Sequence, residues 1–116
     1  MKIYHNPRCR KSREALSLLK SHNCEISIVE YLKTPLNKEE IKNLIKMLNI
    51  SAFDLIRKEE KVFKENYKNQ KLSENECVEL LCQYPILIQR PIIIKDNVAV
   101  LGRPPIINTQ YRIMNP

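Results

Sequence analysis

The opening 31 residues constrain the fold more than any other stretch of the chain. Lys2 to His5 is short and strand-like, and Asn6-Pro7 breaks it. From Arg10 to about Ser21, the apolar residues Ala15, Leu16, Leu18 and Leu19 recur at helical spacing, and His22-Asn23 ends that helix as a turn. Glu25 to Tyr31 alternates, with Ile26, Ile28 and Glu30 on one face and Val29 and Tyr31 on the other. Strand, helix and strand in so short a span predict a parallel pair joined by a right-handed crossover.

The middle of the chain reads as helices. Thr34-Pro35 is a boundary, and Asn37 is an N-cap with Glu39 and Glu40 in the first turn. Ile41, Leu44, Ile45 and Leu48 form one stripe of the helix that follows. Ser51 to Ile56 predicts a short helix, and Glu59 to Tyr67 a charged one. Ser73 with Glu76 is a capping box, opening a helix that stops near Gln83, ahead of Tyr84-Pro85. Ile86 to Ile88 is strand-like. Ile92 to Ile94 and Val98 to Leu101 flank the turn Asp96-Asn97, which predicts a β-hairpin at residues 91–101. This order is that of an α/β, thioredoxin-like three-layer fold. It has a mixed four-stranded sheet and a helical insert at about 37–83 between the β-α-β half and the hairpin, as a single domain over residues 1–116. Ile106 to Pro116 makes no convincing amphipathic stripe.

Composition narrows the class. No apolar run approaches the ~20 residues needed to span a bilayer. Met1 leads straight into a strand without a leader-like apolar region, so a cytoplasmic protein with no membrane association is expected. The net charge of +7 permits anionic partners. Much of it is dispersed over helical lysines such as Lys38, Lys42, Lys46, Lys58, Lys61 and Lys64, as on a solvated face. No nucleic-acid-binding signature is present, so no nucleic acid partner is expected.

The four cysteines are Cys9, Cys24, Cys77 and Cys82, and none lies in a Cys-x-x-Cys pair. Cys24, Cys77 and Cys82 sit among apolar residues as small hydrophobes would. Cys9 differs. It falls between a strand end and a helix start, where free backbone N–H groups and the helix dipole favour an anion. Arg8, Arg10, Lys11 and Arg13 surround it with cations. Such surroundings stabilise a thiolate and also hold an oxyanion, so a nucleophile and an anion site coincide. The sixth residue after Cys9 is Ala15, which excludes the Cys-x5-Arg loop of phosphatases. Ser12 stands where a dithiol enzyme has its resolving cysteine; its hydroxyl is able to donate to the Cys9 thiolate but cannot resolve a disulfide. A thiol from elsewhere in the chain or from outside is required.

Three further arginines stand at telling points. Arg57 follows a short helix, Arg90 precedes Pro91 at the start of the hairpin, and Arg103 follows its last strand. Guanidinium groups hold tetrahedral oxyanions in bidentate fashion and keep their charge. His5, four residues before Cys9, is placed to bond the loop and support the thiolate.

The chain resembles the glutaredoxin-coupled arsenate reductase (ArsC-like) family. The resemblance rests on Tyr4-His5-Asn6-Pro7-Arg8-Cys9-Arg10-Lys11-Ser12-Arg13, Leu55-Ile56-Arg57-Lys58, Tyr84 to Ile92 and Leu101-Gly102-Arg103-Pro104, and covers residues 2 to 105 in order. It implies that Cys9 is the nucleophile, that Arg57, Arg90 and Arg103 bind the oxyanion, that His5 supports the thiolate, and that Pro91 is the family's structural cis-proline. It implies arsenate as substrate, glutathione as co-substrate and glutaredoxin as partner, with no bound cofactor or metal, in a monomer serving arsenical resistance. Position 10 departs from the family, where small residues are common. Two other readings share the fold: a regulatory protein of the Spx type that contacts RNA polymerase, and a generic glutathione-linked thiol oxidoreductase.

Overall fold

A computed structural model describes residues 1–21 and 25–101. The chain forms two compact units, one from Met1–Thr34 and Arg90–Pro116, the other from Pro35–Gln89.

In the first unit, β1 (Lys2–Tyr4), α1 (Arg10–Ser21), β2 (Ser27–Val29), β3 (Ile92–Lys95) and β4 (Val98–Leu101) build a four-stranded mixed sheet of order β2-β1-β3-β4. β1 and β2 are parallel, whereas β1 with β3 and β3 with β4 are antiparallel. The register places Ile3 beside Ile28 and Ile93, and Ile93 beside Val100. Opposed residues of paired strands share a face. Ile3 and Ile93 on that face pack with Ala15 and Leu19 of α1, and Met1, Leu16, Leu18, Ile26 and Val100 border the cluster. The helical stripe read from the sequence is thus the face that α1 turns to the sheet. Asp96 makes the hairpin turn in the left-handed region (φ 55°), which short polar side chains tolerate.

β2 is shorter than its alternating pattern predicts, and Ile28 is 44% exposed although it shares the face of Ile3. It is a sheet edge, paired with β1 alone over three positions. An apolar residue on an edge has fewer neighbours to cover it than Ile3 in the next strand.

The second unit is helical, with α2 (Lys38–Leu48), α3 (Ala52–Leu55), α4 (Lys61–Asn66) and α5 (Glu74–Gln83). Both predicted N-caps form. Asn37 Oδ1 accepts from Glu40 N at 2.9 Å and Ser73 Oγ from Glu76 N at 3.2 Å, and each glutamate carboxylate accepts the cap's own N–H in return. Ile41 and Leu44 of α2, Ala52 and Leu55 of α3, and Cys77, Val78, Leu80 and Leu81 of α5 are buried. Burying a leucine or isoleucine side chain in this way contributes about 1.5–3 kcal/mol. Glu74 ties two helices together, its carboxylate accepting from Ala52 N at 2.7 Å.

Ile86 to Ile88 is not a ladder strand. Pro85–Leu87 forms a 3-10 turn, and only Ile88 makes an isolated antiparallel bridge, to Ile56. Leu87 and Ile88 are fully buried in place of lying in the sheet. A short apolar run meets the same need for burial in either conformation, so periodicity does not separate the two.

Candidate active site

Cys9 sits at the N-cap of α1. Its N–H donates to Asn6 O (3.0 Å) and its carbonyl accepts from Arg13 N (3.0 Å), the first bond of the helix. An N-cap side chain accepts from the N–H groups of the second and third residues of the helix. Here the acceptor is sulfur: Cys9 Sγ takes hydrogen bonds from the backbone N–H groups of Ser12 and Lys11.

A third donor is the Arg90 guanidinium. The antiparallel register sets Tyr4 opposite Ile92, so the loop leaving β1 runs beside the residues that enter β3. Arg90 is only 6% exposed, and its peptide bond to Pro91 is cis. A buried guanidinium is stable only with compensating partners, and a thiolate is one. Burial on its own pushes the Cys9 thiol up. The Ser12 N–H, the bond and charge of Arg90, and the Lys11 N–H together outweigh it and hold the thiol below the ordinary value of 9.0.

Beneath the cysteine lies a dry polar cluster. His5, Asn6 and Ser12 are 6%, 2% and 0% exposed. Ser12 Oγ lies 2.6 Å from His5 Nδ1 and accepts from Asn6 N at 3.0 Å. The Ser12 hydroxyl is therefore engaged with His5 and Asn6; it is the backbone N–H of Ser12 that meets the sulfur. His5 is held below its ordinary value, chiefly by burial and further by the Lys20 and Arg13 charges, against an opposing pull from Glu30. With the neutral ring's proton on Nε2 the Ser12 O–H donates to Nδ1, and with it on Nδ1 the ring donates to Ser12 Oγ; the pair is bonded in either tautomer. His5 N also donates to Val29 O at 2.8 Å, fixing the strand end.

Asn6, read from the sequence only as a breaker, is central to this loop. Besides the two backbone bonds already given, its Oδ1 accepts from Arg8 N at 3.0 Å. The available signal was its place two residues before Arg8, the spacing of an Asx turn. Arg13 Nη1 donates to Pro7 O at 2.9 Å, and Arg10 pairs with Glu14 at 3.0 Å on the exposed surface.

The other sequence candidates belong to the second unit or fall outside the described residues. Arg57 belongs to the second unit, where its N–H donates to Leu87 O (2.6 Å) and its guanidinium lies 3.6 Å from the Glu60 carboxylate. Arg103, Cys24 and the tail from Ile106 to Pro116 fall outside the described residues. Cys77 and Cys82 stand above the ordinary thiol value. Burial raises both, with the Glu74 and Glu76 carboxylates adding at Cys77 and Glu79 at Cys82. Among the described residues, Cys9 is thus the cysteine poised as a nucleophile. No group of three or more His, Cys, Asp or Glu among them is arranged to hold a metal ion, and no helix among them is long and apolar enough to cross a membrane.

Comparison with known proteins agrees with this arrangement. The model of the ArsC family matches residues 4–110. The chain is 43% identical over 107 residues to the uncharacterized Escherichia coli protein YfgD, covering 90% of each. It is 37% identical over 106 residues to an arsenate reductase of Neisseria meningitidis, covering 90% of this chain and 91% of that one. The solved structure of an arsenate reductase from Vibrio cholerae superposes with a TM-score of 0.87 at 35% identity, covering 98% of both chains. In sequence across both units, and in the thioredoxin-like architecture that carries Cys9, this chain belongs to the ArsC family.

Proposed function

We propose that the chain is an arsenate reductase that works through a single nucleophile, Cys9, with glutathione and glutaredoxin supplying the electrons. The observation that carries this reading is the Cys9 sulfur receiving two helix N–H groups and the buried Arg90 guanidinium together. These donors keep the sulfur ionised and also suit the oxygens of a tetrahedral anion. The arsenate reductases among its relatives supply the substrate.

In this mechanism the Cys9 thiolate attacks arsenic and an arsenate oxygen leaves as water or hydroxide. Arg90 holds the oxyanion, joined in this reading by Arg57 and Arg103. His5 and the Ser12 hydroxyl, bonded to one another, stabilise the loop, and the Ser12 backbone N–H meets the sulfur. Glutathione then attacks the arsenic bound to Cys9 and displaces a second oxygen as water or hydroxide. The glutaredoxin thiolate attacks the glutathione sulfur, forming a glutathione–glutaredoxin disulfide and leaving the electron pair on arsenic, which falls from the +5 to the +3 state. Hydroxide then displaces Cys9 from arsenic, releasing arsenite and restoring the thiolate. The reductant comes from outside because Ser12 is no resolver and Cys77 and Cys82 are weakly ionised thiols. Glutathione is a co-substrate here, and no cofactor is bound.

The test is NADPH oxidation with arsenate, glutathione, glutaredoxin and glutathione reductase. Wild type is compared with Cys9→Ser and with a variant carrying serine at Cys24, Cys77 and Cys82. Arsenate-dependent turnover lost only in Cys9→Ser is expected. A wild type with a reactive Cys9 and no arsenate-dependent turnover would overturn the substrate and leave a thiol oxidoreductase of another kind.

A further inference from the structure

We infer that Asn6 is a positioning residue for the nucleophile, its side chain setting the turn that lays the Cys9 sulfur against the start of α1. The inference rests on Cys9 being the nucleophile, and not on the identity of the oxyanion.

The argument starts from the backbone. Five residues separate the end of β1 from the helix, and in that space the chain must turn, pass Pro7 and deliver a side chain onto the helix axis. Pro7 fixes its own φ and provides no N–H, so the first backbone donor available to close the turn after Asn6 is Arg8 N. Asn6 Oδ1 accepts from Arg8 N across the proline (3.0 Å). With that link made, Asn6 O faces Cys9 N (3.0 Å) and Asn6 N faces Ser12 Oγ (3.0 Å). Asn6 thus bonds to Arg8, Cys9 and Ser12, and the last two are the cysteine itself and a donor to its sulfur.

Burial makes the arrangement exacting. Asn6 is 2% exposed, so no water replaces a lost acceptor without opening the loop. Hydrogen bonds to a thiolate weaken steeply as their angle departs from linear. A small rotation of the Pro7-Arg8 segment therefore withdraws the Lys11 and Ser12 N–H groups from the sulfur while leaving α1 intact. A side chain that merely stabilised the loop would change the unfolding midpoint and leave the ionisation of Cys9 alone.

The experiment measures alkylation of Cys9 by iodoacetamide against pH, in a background with serine at Cys24, Cys77 and Cys82, alongside urea unfolding. In folded Asn6→Ala the rate at pH 6 should fall roughly tenfold, as the thiolate fraction drops. Asn6→Ser, which retains a short acceptor for an ST turn, should lie between alanine and wild type. Should the alanine variant fail to fold, the serine variant decides: a several-fold slower reaction at pH 6 supports the inference, and a wild-type profile overturns it. A folded Asn6→Ala with a wild-type alkylation profile also overturns it, however far its urea midpoint moves. Because the readout contains no arsenate, failure here is distinct from failure of the arsenate reductase reading.

Discussion

Removing the Ser12 hydroxyl separates stability from reactivity at this site. In Ser12→Ala the buried His5 Nδ1 and Asn6 N–H each lose a partner at Ser12 Oγ. All three residues are at most 6% exposed, so water does not readily take the place of the hydroxyl. A buried polar group left unsatisfied costs about 1–3 kcal/mol, which puts the loss at about 2–4 kcal/mol after partial relaxation. That is a large share of the 5–15 kcal/mol or so that holds a domain folded. With urea m-values of about 1–3 kcal/mol per molar, the unfolding midpoint read by far-UV circular dichroism should fall by about 1–2 M. The Cys9 sulfur, in contrast, still receives the Ser12 backbone N–H, the Lys11 N–H and Arg90. Alkylation of the folded variant should therefore stay within about threefold of wild type, a change of under 1 kcal/mol. An unchanged midpoint with a collapsed alkylation rate would refute this reasoning, placing the hydroxyl on the sulfur instead of on His5.

Two further outcomes follow from the same geometry. Arg90→Gln removes a bond and a charge from Cys9, so alkylation at pH 7 should slow roughly five- to tenfold, with Arg90→Lys in between; superimposable pH profiles would remove Arg90 from the thiolate. His5 is held below its ordinary value of 6.5 by burial, so the unfolded chain binds its proton first, and urea stability should decline as pH drops below about 6.5. His5→Asn, which keeps an acceptor near Ser12, should flatten that decline, and an equal slope in both proteins would assign it to other groups.

Local signals carried most of the fold. The stripe Ala15, Leu16 and Leu19, the caps Asn37 and Ser73 and the turn Asp96-Asn97 are each set by neighbours in sequence, and each appears where its pattern predicts. Ile86 to Ile88 and the length of β2 misled because their outcome depends on what lies across from them. The setting that favours the Cys9 thiolate was legible for a similar reason: the breaker, the cations and the helix start all lie within a few residues of Cys9. Its contact with Arg90 was not, because that contact is made by the pairing of β1 with β3. The chemistry of the Ser12 hydroxyl makes it able to donate to the sulfur. The fold turns it to His5, a choice that burial makes and composition does not reveal. Arg57 carries a sequence signal as plain as that of Arg90, yet it stands in the other unit with Glu60 beside it.

The sulfur proposed to react is also a fastening of a helix end. While Cys9 is a thiolate, α1 begins on a negatively charged acceptor. Any reagent that claims the sulfur's electron pair loosens that fastening unless it carries acceptors of its own. A plain alkyl group brings none, and the first turn of α1 is left with stranded donors at Lys11 and Ser12. A tetrahedral oxyanion brings several, and hands oxygen to the same N–H groups as the sulfur's charge is spent. The helix end thereby distinguishes one class of adduct from another, favouring those that leave it as well tied as they found it.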